Sequence, residues 1–141
     1  MLGRTLPDYE LFIYALQDDY GSIQISTLTV IRQASDVATV EGELFFPTDV
    51  RLRVLEVVRF DFTPPQLIQY GYEVWRGSEK LYWYDSQEHP NDPTLASTHP
   101  HHKHILPDIK HHRVPAPGLS FNEPNLFFLI REIEALLRQE F

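Results

Sequence analysis

Cysteine is absent from the 141 residues. No disulfide and no thiolate chemistry is available, which suits a reducing compartment. Long apolar runs are missing too. None approaches the ~18 residues that a membrane span needs. The first ten residues, MLGRTLPDYE, lack the basic-then-apolar layout of a signal peptide. The expected location is cytoplasmic, with no membrane contact. Positive charge is scarce: 12 Lys and Arg stand against 20 Asp and Glu, a net charge of −8 with histidines neutral. Such a body repels nucleic acid on average, so any RNA or DNA chemistry needs a local basic patch. It also suits a basic protein partner.

What is present is enough apolar material for a core. The chain is 43% hydrophobic, and its length favours one domain over 1–141. In PDYELFIYALQDDY, residues Tyr9, Phe12, Ile13 and Leu16 fall at helical spacing behind Pro7 and Asp8. A first helix is expected over about 7–19. The β-branched stretch SIQISTLTVIRQ reads as a strand, and VATVEGELFF as a second. Gly42 inside the latter signals a bulge or a close backbone approach. VRLRVLEVVRFDF alternates Val50, Leu52, Val54 and Glu56 on one face, with a mixed phase at Val57 and Val58 that points to a twist or bulge. QLIQYGYEVWR and EKLYWYD flank Gly77-Ser78, a two-residue hairpin connection.

The fold class that follows is α+β. A five-stranded antiparallel meander carries an N-terminal helix and a C-terminal helix packed on the sheet. The C-terminal helix is the clearest element: Leu126, Leu129, Ile130, Ile133 and Leu137 form one stripe, with Asn122 or Glu123 as cap and Pro124 in the first turn. Between the sheet and that helix, residues 86–119 hold prolines 90, 93, 100, 107, 115 and 117. Proline removes amide donors and fixes φ, so this region is expected to be a long His/Pro-rich loop.

Six of the seven histidines fall in THPHHKHILPDIKHH, Thr98 to His112. Three chemistries compete for them. A zinc site wants three or four convergent ligands, but no HExxH and no cysteine partner is present. No metal ligand and no cofactor is therefore assigned. Acid/base chemistry fits better in kind. Imidazole titrates near neutral pH, and two histidines with a lysine are the parts for metal-free RNA cleavage. Alternatively, the histidines of a proline-rich loop simply bond to backbone and clasp it. Spacing alone leaves these alternatives open. The aromatics Tyr70, Tyr72, Trp75, Tyr82, Trp83 and Tyr84 read mainly as packing, although sheet aromatics also stack unpaired bases. Arg51 and Arg53 lie on the long strand, where an arginine is either a phosphate ligand or half of a surface ion pair.

The run YGYEVWRGSEKLYWYD, then His-Pro, then THPHHKH resembles the TumE family of small prokaryotic toxins of toxin–antitoxin pairs. The family pattern is a strand ending in Tyr-Asp, a His-Pro or Pro-His step, and Pro-His-His-Lys-His. The matching positions are Tyr84, Asp85, His89, Pro90, Pro100, His101, His102, Lys103 and His104. The likeness covers mainly residues 50–104; the tail after it departs from the general pattern. What the resemblance implies is a toxin with a cognate DNA-binding antitoxin as partner. Ribonuclease action is the default expectation for a small toxin, with RNA as substrate. On that expectation His101, His102 and His104 are acid/base candidates and Lys103 stabilises the phosphate. Tyr84 and Asp85 act as supports, while Arg51, Arg53 and His89 bind substrate. A non-catalytic interaction protein and a His-ligated metalloenzyme remain the rivals.

Overall fold

The first helix begins where the capping chemistry dictates. Thr5 Oγ1 accepts from the Asp8 amide at 3.3 Å, and Asp8 Oδ2 accepts from the Thr5 amide at 3.2 Å. This reciprocal box satisfies two otherwise orphaned donors, and α1 then runs Leu6–Asp19. Thr5→Ala removes one half of the box and is expected to cost about 1 kcal/mol, read as a lower midpoint in urea unfolding.

The structure is a computed structural model that describes residues 2–86, 101–105, 113–116 and 118–140. After α1 come β1 (Ile25–Ser26), β2 (Thr29–Ala34), β3 (Val37–Phe45), a single 3-10 turn (Pro47–Asp49) and β4 (Val50–Arg59). Then follow β5 (Gln66–Arg76), β6 (Glu79–Asp85), β7 (His102–His104), β8 (Arg113–Pro115) and α2 (Leu126–Glu140). All pairings are antiparallel. The lateral order is β1-β3-β4-β5-β6-β7-β8, with β2 also on β3. β1 and β2 lie end to end along the same side of β3, so they act as one interrupted strand.

The interruption has a cause. At Gly42, φ is +138°, and a Cβ placed there would lie 2.5 Å from the Thr27 carbonyl oxygen. The backbones of β3 and the β1–β2 junction approach too closely for any side chain. The expectation of a close approach at Gly42 is met.

Both helices cover one face of the sheet. On β4, Val50, Leu52, Val54, Glu56 and Val58 are buried in strict alternation. The irregularity expected at Val57–Val58 falls on the partner strand. Val57 pairs with Gln69 and Val58 with Leu67, so Ile68 is the extra residue. Tyr9, Ile13 and Leu16 of α1 and Leu126, Leu129, Ile130 and Ile133 of α2 close the same core. Each such side chain contributes about 1.5–3 kcal/mol on burial.

Three expectations need correction. The sheet has more than five strands, because β7 and β8 extend it past β6. The region 86–119 is thus not wholly a loop among the described residues. The three-residue β7 fits between Pro100 and Pro107, and Pro115 closes β8, the last strand on that side among the described residues, where a missing amide costs least. The C-terminal helix starts later than expected. Asn125 accepts from the Leu129 amide at 3.1 Å, which puts Pro124 just ahead of the helix rather than in its first turn. The stripe itself is buried as expected.

Candidate functional site

Strand alternation divides the Pro-His-His-Lys-His element. Lys103 pairs with Tyr84 across the ladder, and His104 with Trp83. Successive residues of β7 therefore serve opposite faces of the sheet. His101 precedes the strand.

On the helix face, His101 Nδ1 shares a hydrogen bond with the Tyr70 hydroxyl and its ring lies against Phe121, centroids 4.5 Å apart. Lys103 Nζ is 3.4 Å from Glu132 of α2 and 4.2 Å from the Tyr82 ring centre. Tyr84 is buried and donates to both oxygens of Glu132, at 3.0 and 2.8 Å. Burial, then the Glu132 carboxylate, hold the Tyr84 phenol far above its ordinary pKa, so it stays a donor. His101, Lys103 and Tyr84 thus tie the new strand to α2 and to β5.

On the opposite face no helix packs among the described residues. Here His104 Nε2 lies 3.2 Å from Asp85 Oδ2. The imidazole is buried, and its ring sits 4.4 Å from that of Trp83. Asp85 lines an open trough of about 1030 Å³, together with Thr29, Glu41, Arg53, Leu55, Gly71, Glu73 and Trp83. The floor is Gly71, which pairs with Leu55 on one side and Asp85 on the other. A Cβ added at Gly71 would meet nothing within 4 Å.

The arginines separate as well. Arg51 is engaged: Nε reaches Glu43 at 2.8 Å, Nη1 donates to the Gly77 carbonyl at 2.5 Å, and the group lies over Trp75. Arg53 is exposed and pairs in register with Glu43 and Glu73. Those carboxylates face other cations, Arg51 and Lys80 (3.2 Å). Among the described residues, Arg53 has no ion pair of its own. His89 lies outside the described residues. His102 is placed by its backbone alone, opposite Asp85 and Pro115. Among the described residues no group of three or more His, Asp or Glu side chains is arranged to hold a metal. No helix among them is long and apolar enough to cross a membrane.

A second polar cluster lies in the core. Glu56 is buried on the helix face, and its carboxylate accepts from Tyr9 and, at 2.5 Å, from Tyr72. Asn125 Nδ2 donates to the Tyr72 oxygen at 3.1 Å. Burial pushes the Glu56 carboxyl up, against the two phenol bonds that pull it down. Neither Gly71 nor this core cluster was singled out from sequence. For Gly71 the signal was there: a glycine within a strand marks missing side-chain volume.

The fold and this face define a small α+β protein in which, among the described residues, both helices lie on one sheet face and the other face is charged. Comparison with known families goes further. The family model described as Toxin TumE matches residues 14–137, most of the chain, and the chain belongs to that family. No curated protein and no solved structure matches it.

Proposed function

We propose that this chain is the toxin of a toxin–antitoxin pair and that it cleaves RNA without a metal, working on the open face of the sheet. The observation that carries this reading is the Asp85–His104 pair at the wall of the trough that also holds Arg53. Asp85 faces the trough, and the buried imidazole behind it orients the carboxylate. In the reaction, Asp85 takes the proton of a ribose 2′-hydroxyl. The 2′ oxygen attacks phosphorus, and the bond from phosphorus to the 5′ oxygen breaks. The proton returns through the Asp85–His104 pair to that leaving oxygen. The products are a 2′,3′-cyclic phosphate and a 5′-hydroxyl. Arg53 offsets the charge that grows on the phosphoryl oxygens. His102, opposite Asp85 in the ladder, is retained as a further acid/base candidate. To the other half of the motif we assign a clasp role: the contacts of His101 with Tyr70 and of Lys103 with Glu132 support this reading.

Asp85→Asn keeps the shape of the side chain but removes the base. It is expected to lower cleavage of single-stranded RNA in EDTA by about 10²–10⁴-fold, with unchanged circular dichroism. Lys103→Met is expected to lower the melting temperature while leaving cleavage per folded molecule. Purified chain that leaves RNA intact, yet arrests growth on expression, would sink the ribonuclease reading.

A further inference from the structure

We infer that the trough over Gly71 is a subsite for one unstacked nucleotide of a single strand, with its phosphate on Arg53 and its base over Leu55 and Gly71. The inference rests on the ribonuclease reading above and names its substrate class.

The argument starts from the missing side chain. Leu55, Gly71 and Asp85 are consecutive cross-strand neighbours. Two strand spacings separate Leu55 from Asp85, ~10 Å in all, and glycine leaves the span between them empty. That width takes one base and its sugar. Asp85 forms the wall at which a ribose hydroxyl would lie. Arg53 is one residue pair along the same face, exposed, and the carboxylates beside it are occupied by Arg51 and Lys80. A guanidinium without a fixed carboxylate is suited to bidentate contact with a phosphate.

Charge decides between single strand and duplex. Glu41, Glu43 and Glu73 rim the trough, and the whole chain carries −8. A duplex brings one phosphate per ~1.7 Å of axis, and most of these would face carboxylates. A single strand sets one phosphate on Arg53 and turns its neighbours outward to water. The apolar floor favours a base that has left its stack.

The test uses the full chain and a fluorescent single-stranded oligonucleotide whose 2′-hydroxyls are methylated, so that it binds without being cut. Gly71→Leu puts an apolar side chain into the trough at a position where the added Cβ meets nothing within 4 Å, and its fold is checked by circular dichroism and melting. It is expected to weaken binding by at least tenfold, roughly the value of one lost stacking contact. Arg53→Gln is expected to weaken binding uniformly across sequences and to reduce the salt dependence by about one ion. A matched duplex is expected to bind more weakly than the single strand. If folded Gly71→Leu binds the oligonucleotide, or cuts unmodified RNA, as wild type does, the subsite is overturned, and the ribonuclease reading stands provided that wild type cuts unmodified RNA. If the oligonucleotide binds in a Gly71-dependent way but unmodified RNA stays intact, the subsite stands and the ribonuclease reading fails. Wild-type chain that binds no single strand, but binds a basic peptide lost in Gly71→Leu, overturns the subsite in favour of a protein-docking face.

Discussion

Replacing Gly42 with valine is expected to cost about 3–5 kcal/mol, the sum of a strained backbone and an overpacked contact. The new Cβ would sit 2.5 Å from the Thr27 carbonyl oxygen and 2.9 Å from Leu28 Cα, and neither is a side chain that could swing away. The φ of +138° adds strain for any L side chain. Relief requires β3 to separate from the β1–β2 junction, where Leu28 is buried. Gly71→Val is the matched control. It has the same chemistry in the same sheet, but open space around the new atom. Urea unfolding of the two variants should therefore diverge. Equal midpoints would mean that the close approach at Gly42 is not there in solution.

The second large effect is a pH dependence set by Glu56. Its folded pKa is raised above the unfolded value because burial outweighs the two phenol bonds. The sign follows from proton counting. Well below the unfolded value, about 4.3, the carboxyl is protonated in both states and its contribution is fully present. As pH rises, the unfolded chain releases its proton first, and stability falls until the folded pKa is passed. Glu56→Gln carries no titrating proton. The difference in unfolding free energy, wild type minus Glu56→Gln, is expected to decline from pH 4 upward and then level. The other carboxylates are common to both chains and cancel. A flat difference between pH 4 and 8 would show that burial does not set the proton affinity of this group. Glu56→Ala, by contrast, is expected to destabilise at every pH by about 3–5 kcal/mol, since it leaves a cavity and strips Tyr9 and Tyr72 of their acceptor.

How much of this was legible beforehand follows from the length of each pattern. α1, α2 and the hairpin around Gly77-Ser78 carry many residues in phase, so periodicity found them. β7 and β8 are three residues each. A period of two cannot be recognised over three positions, and the flanking prolines argued for a loop. The motif was legible as residue types but not as geometry. Tyr84 and Lys103 belong with Glu132, which lies on α2, and only the completed fold brings them together. Asp85 and His104 belong to the other face. Glu56 sat in phase with Val50, Leu52 and Val54, which was sufficient to place it inward. What the sequence does not carry is that Tyr9, 47 positions earlier, would meet it.

The interrupted strand has a further consequence, for self-association. An edge of unpaired amides invites another chain to add a strand. On β1 and β2 that invitation is partly withdrawn by α1. The Ser26 amide donates to Gln17 at 3.2 Å and the Val30 amide to the Tyr14 hydroxyl at 2.9 Å, while Arg32 is held by Glu10. A newcomer would have to strip off these helix side chains and also cross the step at Thr27, where the run of amides changes line. The edge is thereby guarded against templated growth into fibres.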